Sequence, residues 1–394
     1  MSISDRLPDA EWTAREDLAR LAAALGPGNL RWVGGAVRDT LLGHAVSDVD
    51  AATPLQPDDV MKRLGKARIR TVPTGIAHGT ITALLADGNV EITTLRRDVS
   101  TDGRRATVQF TDDWREDAAR RDFTINALYA DPQTLKIFDY FGGQEDLAAR
   151  RVRFIGDARE RIREDHLRIL RYFRFQARFG GMLDEEAESA CTELRDTLKG
   201  LSRERVAMEL LNLLALPDPS PTVDRMHGLG ILQVVLPEAG KRELATLARL
   251  IAAEARAGLP PKALRRLAAL IPPIAPVAET IAARLRLSGK QRKYLACIAE
   301  RTTDDADFPR ALAYREGLEC ARDRLLTGGF PIDALHGWHV PQLPLKGGDI
   351  VASGVTAGPQ IARTLRAVEA KWIEENFPGA QRVREILAET LSGH

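Results

Sequence analysis

The sequence predicts an α+β fold, a mixed α/β head followed by an elongated, all-helical remainder. Three observations predict it. Between residues 29 and 155, short β-branched runs (LRWVGG, GTITALLA, NVEITTL, LKIFDYF) alternate with turn residues and helical stretches. From about residue 156 onward, apolar residues recur at helical spacing and Pro and Gly punctuate them. Hydrophobic residues make up 44% of the 394 and charged residues 28%, which rules out disorder over most of the chain. Aromatics are only 5%, so the core must be mainly aliphatic.

The elements follow in order. Residues 9–25 (DAEWTAREDLARLAAAL) read as an amphipathic helix with Trp12, Leu18, Leu21 and Leu25 on its apolar side, ended by Gly26, Pro27 and Gly28. Residues 1–28 thus form an N-terminal helical segment, and 29–155 the head. In RERIREDHLRILRYFRFQARFG, apolar Leu167, Leu170, Phe173 and Ala177 recur at helical spacing. Shorter helices follow, with no internal repeat and no low-complexity stretch.

Lys plus Arg number 56 and Asp plus Glu 55, so a strongly basic nucleic-acid coat protein is excluded, although local patches are not. Cys191, Cys297 and Cys320 are scattered and form no CxxC pair, which argues against a disulfide framework or a zinc site and for a reducing compartment. The N-terminus has no basic stretch followed by an apolar one, and no apolar run of about 18 residues exists. A cytoplasmic location without a membrane partner is expected, and nothing points to an obligate protein partner.

Four motifs carry chemistry. In LRWVGGAVRDTLLGHAVSDVD, a strand runs into Gly34-Gly35 and then a helix. Such a turn lets backbone approach a phosphate, and Arg38 one turn on can reach the same anion. Asp48 and Asp50 then share a strand face, a donor pair for a hard cation such as Mg²⁺. A lone glycine pair or a lone Asp-x-Asp is usually a turn or a surface pair; together within 17 residues they point to function. Glu91 lies on a strand with Ile92 on the other face; from spacing alone a solvent-facing glutamate is the preferred account. In AARRDFTINALYAD, Arg120, Arg121, Asp122 and Asn126 are either a salt-bridge cluster or phosphate forks beside ribose ligands. In REDHLRILRYFRFQARF, Asp165, Arg168, Arg171 and Arg174 recur every three residues and wind along one side of a helix. Residues 150–178 hold ten Arg, four acids and no Lys, which favours planar bidentate recognition over a plain solvated face.

These stretches, with VPTGIAHGTITALLADGNVEITTLRRD, FDYFGGQEDLAARRVRFIGD and SRERVAMEL, resemble the class II nucleotidyltransferases, the bacterial tRNA CCA-adding enzymes and their poly(A) polymerase relatives. The match is nearly continuous over residues 30–210, and LKGGDIVASGVTAGPQIARTL (345–365) is similar to the family's tail. The resemblance implies a polymerase-β-like head, a neck at 156–210 that recognises the nucleotide base, a body at 211–290 and a tRNA-binding tail at 291–394. It implies Mg²⁺ on Asp48 and Asp50, with Glu91 as the third carboxylate. Gly35, Arg38 and Arg121, with Arg120 beside them, would face the triphosphate, and Asp122 and Asn126 the ribose. Asp165 and Arg168 would read the base, supported by Arg171 and Arg174, while Arg205 and Glu209 would have a structural role. Thr74-Gly75-Ile76-Ala77-His78-Gly79-Thr80 looks like the CCA type, where poly(A) polymerases carry a basic, Phe-containing stretch. Arg97 to Arg105 retains the flexible loop that CC-only enzymes lack in part. No HD-type hydrolase motif follows.

The activity implied is addition of C, C and A to the tRNA 3′ end from CTP and ATP by two-metal transfer, releasing pyrophosphate. A poly(A) or A-only polymerase is the alternative within the same chemistry. A non-catalytic RNA-binding relative is the alternative outside it, and intact Asp48, Asp50 and Glu91 speak against that.

Overall fold

The computed structural model describes residues 5–102, 105–356 and 358–392. The chain divides into two compact units between Leu236 and Pro237.

In the first unit the strands are β1 (Arg31–Val33), β2 (Val49–Thr53), β3 (Arg70–Gly75), β4 (Thr80–Leu85), β5 (Gly88–Thr94), β6 (Arg96–Asp102), β7 (Arg105–Phe110), β8 (Leu128–Ala130) and β9 (Ile137–Asp139). The helices that matter are α1 (Glu16–Leu25), α2 (Gly35–Leu41), α3 (Pro57–Lys66), α4 (Trp114–Ala119), α5 (Gly143–Ala148), α6 (Ala158–Glu164), α7 (Arg168–Phe179), α8 (Glu185–Glu193) and α9 (Arg203–Leu214). Seven strands form one sheet in the order β3-β4-β5-β2-β1-β8-β9, and β6 and β7 pair as a separate hairpin. All four apolar runs of the head sequence become strands, and the α+β class stands.

Among the described strands β2 and β5 alone pair in parallel, with Asp50 opposite Glu91. Pro73 lies on edge strand β3, where the register shifts between Val72 and Gly75; an edge tolerates a residue without an N–H. Gly79 has φ +77°, and a Cβ there would stand 2.7 Å from the Phe110 ring, so only glycine closes this turn. Gly103 and Arg104, within the predicted loop after Glu91, lie outside the described residues.

Val33, Ala52, Leu95, Ala118, Ala127, Tyr129 and Ile155 pack together between the sheet and its helices. Trp12, Leu18, Leu21 and Leu25 are buried as their spacing predicted. Their segment is a short 3-10 turn (Glu11–Ala14) followed by α1. Trp12 Nε1 donates to Thr40 Oγ1 at 2.8 Å, which ties this segment to α2.

The helical register over 159–180 needs a correction. Asp165 is not on a helix. It lies in extended backbone between α6 and α7. Its Oδ1 accepts the backbone N–H of Leu167 (3.1 Å) and its carbonyl accepts that of Arg168 (3.0 Å), so it starts α7 rather than continuing α6.

The second unit is helical throughout its described secondary structure, from Lys241–Arg256 to Ala380–Ser392. One core gathers Ile350, Val368, Trp372, Val383 and Ile386. A buried ionic group joins Arg265 to Glu254 (2.7 Å) and Asp323 (2.9 Å), with Arg266 on Glu254. The expectation against disulfide bonding is corrected at one pair. Cys297 and Cys320 form a disulfide, because helices Gly289–Ala299 and Leu318–Gly328 bring their Cα atoms to 6.6 Å. A pairing between separate helices leaves no spacing signature, and the compartment argument drawn from the cysteines loses its ground. Among the described residues no helix is long and apolar enough to cross a membrane.

Candidate active site

Strand β1 gives way to Gly34, whose φ of 70° and ψ of −121° suit a residue without a side chain. α2 begins at Gly35, where a Cβ would enter the cleft 3.8 Å from Arg38 Nη2. The cleft measures about 380 Å³. Gly34, Gly35, Arg38 and Asp50 come to it from the β1–α2 turn, α2 and β2; Arg120, Arg121, Asp122 and Asn126 from the segment after α4; and Asp165, Arg168, Arg171 and Phe175 from α7 and the residues just before it.

Most predicted site residues therefore meet in one place although they span 35 to 171. Asp48, Glu91 and Arg174 do not line it. Asp48 precedes β2, yet it is exposed, like Asp50, while Val49 between them is buried, so the shared face survives. Glu91 is exposed on β5 opposite Asp50, and Ile92 is buried on the other face. Arg174 turns to α9 and donates through Nε to Glu209 (2.6 Å).

Asp50 is reached by solvent through the cleft but walled in by protein. Desolvation pushes its carboxyl above the usual range, Glu91 and Asp48 push the same way, and Arg121 opposes them. Among the described residues no three Asp, Glu, His or Cys side chains enclose a cation. The donor set still fits Mg²⁺, which takes one or two carboxylates and leaves the other positions to water and substrate phosphates. The crowding of negative charge on Asp50 is what a cation relieves.

The arginine wall is fixed by acids. Buried Asp117 on α4 accepts from Arg120 Nε (2.8 Å), Arg121 Nη2 (3.2 Å) and the Tyr129 hydroxyl (2.7 Å). Arg38 donates to Asn126 Oδ1 (2.5 Å), Asn126 donates to Asp122 Oδ1 (2.9 Å), and Arg171 donates through Nε to Asp122 Oδ2 (2.8 Å). Burial would raise both carboxyls. Arg121 and Arg120 outweigh it at Asp117, and Arg171 with Asn126 outweighs it at Asp122, so both are held below the usual range. Because these folded-state values are depressed, the stability the pairs contribute is present above pH about 4 and is lost as pH falls through the lower values.

The basic surplus of 150–178 is not a free phosphate track. Arg151 and Arg153 pair with Asp146, Arg159 with Glu193, Arg161 and Arg168 with Glu164, Arg171 with Asp122, Arg174 with Glu209, and Arg178 with Asp39. Several of these partners are distant in sequence, so a local count of charge misses them. Asp165 and Arg168 are held separately. Asp165 Oδ2 accepts from Arg205 (2.7 Å), while Arg168 donates to Glu164 (2.6 Å) and to the Arg120 carbonyl (3.1 Å).

Sequence reasoning missed Asp117 and Phe175. Asp117 stands three and four residues before Arg120 and Arg121, a helical pair spacing that could have marked it. Phe175 is buried, with Arg38, Arg171 and Arg174 guanidinium groups 5.3, 5.6 and 4.7 Å from its ring centroid. Four residues after Arg171, it shares that residue's helix face. Asp117→Asn is expected to lower stability by about 3 kcal/mol, because two half-buried arginines lose their buried counter-charge. Thermal unfolding measures this, and a rise in nucleotide KM should accompany it.

A cleft that joins the Asp50 carboxylate to the guanidinium groups of Arg38, Arg120 and Arg121 suits the anionic tail of a nucleotide, and comparison with known proteins defines the class. Residues 30–153 match the family described as "Poly A polymerase head domain", and residues 182–241 the "Probable RNA and SrmB- binding site of polymerase A". The mitochondrial CCA tRNA nucleotidyltransferase 1 of Danio rerio is 35% identical over 389 residues, 92% of this chain and 87% of that protein. The Homo sapiens protein of the same name is 34% identical over 372 residues, 88% and 83% of the two chains. The crystal structure of the Bacillus stearothermophilus CCA-adding enzyme in complex with CTP superposes with TM-score 0.74 at 27% identity, covering 97% of this chain and 98% of that one. The Thermotoga maritima CCA-adding enzyme complexed with tRNA-CCA, at 19% identity and TM-score 0.71 over 95% and 93% of the chains, shares the fold. The chain belongs to the CCA tRNA nucleotidyltransferase and poly(A) polymerase family, and it is a nucleotidyltransferase.

Proposed function

We propose that this enzyme adds C, C and A, without a template, to the 3′ end of tRNA, using CTP and ATP. The observation that carries the reading is the meeting, in one cleft, of the Asp50 carboxylate and the wall of Arg38, Arg120 and Arg121. Within this reading the boundaries are a head at 29–155, a neck at 156–210, a body at 211–290 and a tail at 291–394. The relatives' names and the CTP complex of the Bacillus stearothermophilus enzyme support the substrates.

Asp48 and Asp50, with Glu91 opposite, would hold Mg²⁺, which when bound supplies activation of the RNA 3′-hydroxyl and neutralises charge on the departing pyrophosphate. Gly35 leaves room for the triphosphate beside Arg38. Arg38, Arg120 and Arg121 meet negative charge as it builds on the phosphoryl oxygens; Asp117 and Asn126 hold their guanidinium groups in place beforehand. Asp122 and Asn126 face the ribose. Cytosine and adenine both present an exocyclic amine beside an unprotonated ring nitrogen. Asp165 accepts from the amine and Arg168 donates to the nitrogen.

The test is tRNA lacking its terminal trinucleotide, incubated with labelled CTP and ATP, with and without Mg²⁺. Ordered addition of C, C and A only with the metal is expected. Runs of A, or A addition alone, would replace the reading with the poly(A) alternative.

A further inference from the structure

One pocket of the second unit gathers three arginines around a single carboxylate. It measures about 320 Å³, and its wall includes Arg242, Arg249, Arg301, Glu243, Thr303 and Thr327. Among the described residues, none of the three arginines forms an ion pair. Arg265 and Arg266, which meet Glu254 of the helix that bears Arg242 and Arg249, do. Glu243 is engaged in capping that helix, where it accepts the Gly240 backbone N–H at 3.1 Å.

Arg301 is the innermost of the three. Its Nη2 donates to the Ile271 carbonyl (3.1 Å) and its Nη1 to the Ile298 carbonyl (3.4 Å), which aim the guanidinium but do not neutralise it. Burial pulls its pKa down to about 10, with Glu243 opposing and Arg242 adding to the fall. Its hydrogen-bond acceptors are neutral carbonyls, and the one carboxylate of the pocket faces three arginines, so a further anion is favoured there.

The shape of the array narrows the anion. Arg242 and Arg249 are seven residues apart on helix Lys241–Arg256, about two turns or roughly 10 Å along its axis. Thr246, between them on the same face, accepts from Arg249 Nη2 at 3.1 Å. A row of that length exceeds a single oxyanion and suits successive phosphates of a polynucleotide strand. Guanidinium forks take phosphate oxygens in pairs, and threonine hydroxyls add donors.

We propose that this pocket binds the phosphodiester backbone of the RNA substrate. The proposal rests on the RNA-extending function above. The experiment compares the full-length wild type with the double variant Arg242→Gln/Arg249→Gln. Both side chains are exposed on a helix, so matched thermal unfolding checks that the variant is folded. Binding of tRNA lacking CCA is titrated against salt. The variant is expected to bind about tenfold more weakly at 0.15 M salt, with the slope of log K against log salt reduced by about 1 to 2. Its KM for CTP should be unchanged, because neither arginine lines the catalytic cleft.

Equal affinity and equal slope in the two proteins would overturn the proposal. So would stabilisation of the wild type, but not the variant, by inorganic phosphate with tRNA binding unaltered; the pocket would then take a free anion. The two readings fail separately. Normal CCA addition with variant binding unchanged removes the pocket alone. Lost RNA affinity in the variant, with no C or A added by the wild type, removes the catalytic reading and keeps the pocket.

Discussion

Asp50→Asn is expected to reduce both C and A incorporation by at least about a thousandfold, while the protein stays folded. A thousandfold loss corresponds to roughly 4 kcal/mol of transition-state stabilisation, within what one metal-binding carboxylate supplies. The stability half of the prediction follows from the metal-free geometry. Desolvation and the neighbouring charges of Glu91 and Asp48 all disfavour ionised Asp50, and only Arg121 favours it. A neutral amide of the same shape removes that repulsion, so the melting temperature without metal should hold or rise. Asp48→Asn should also lose activity. Near-wild-type turnover of Asp50→Asn in Mg²⁺ would remove the carboxylates from the mechanism, and a large loss of stability would show that Asp50 is a structural residue.

The sequence carried the local parts of this site and missed the parts that depend on distant pairing. The Gly34-Gly35 turn, the shared face of Asp48 and Asp50, and the Arg120–Asn126 motif are set by residues within a few positions of each other, and each was legible. Glu91 was not, on spacing alone. Its place opposite Asp50 is decided by the parallel pairing of β2 and β5, which no residue of β5 announces. The helix break at Asp165 was hidden because the three-residue spacing of Asp165, Arg168, Arg171 and Arg174 begins at it, so the side chain that starts the new register read as part of the helix. The arginines of 150–178 looked available because their partners are remote: Arg178 meets Asp39 across 139 positions, and Arg171 meets Asp122 across 49. Charge counted along a segment says little about charge left over once the segment has packed.

The other large effect expected is on the choice of base. Asp165→Ala and Arg168→Ala should each lower kcat/KM for the correct nucleotide by about a hundredfold and raise relative use of UTP or GTP by a similar factor. Uracil and guanine present a carbonyl beside an N–H, the reverse of the pattern that Asp165 and Arg168 complement. Two mismatched buried hydrogen bonds are worth about 3 kcal/mol of discrimination. The geometry supports a reader rather than a surface pair, which would put only about 0.2–0.5 kcal/mol at stake. The two side chains are not bonded to each other; Arg205 orients Asp165 and Glu164 orients Arg168, so both are held in the cleft before a base arrives. Arg205→Ala separates reading from scaffolding. If Asp165 acts only as a partner for Arg205, removing Arg205 should reproduce the Asp165→Ala profile. If Asp165 reads the base, Arg205→Ala should weaken incorporation of C and A while keeping their preference over U and G. Measuring kcat/KM for all four nucleotides on one tRNA substrate decides it, and unchanged ratios in both alanine variants would take Asp165 and Arg168 out of base selection.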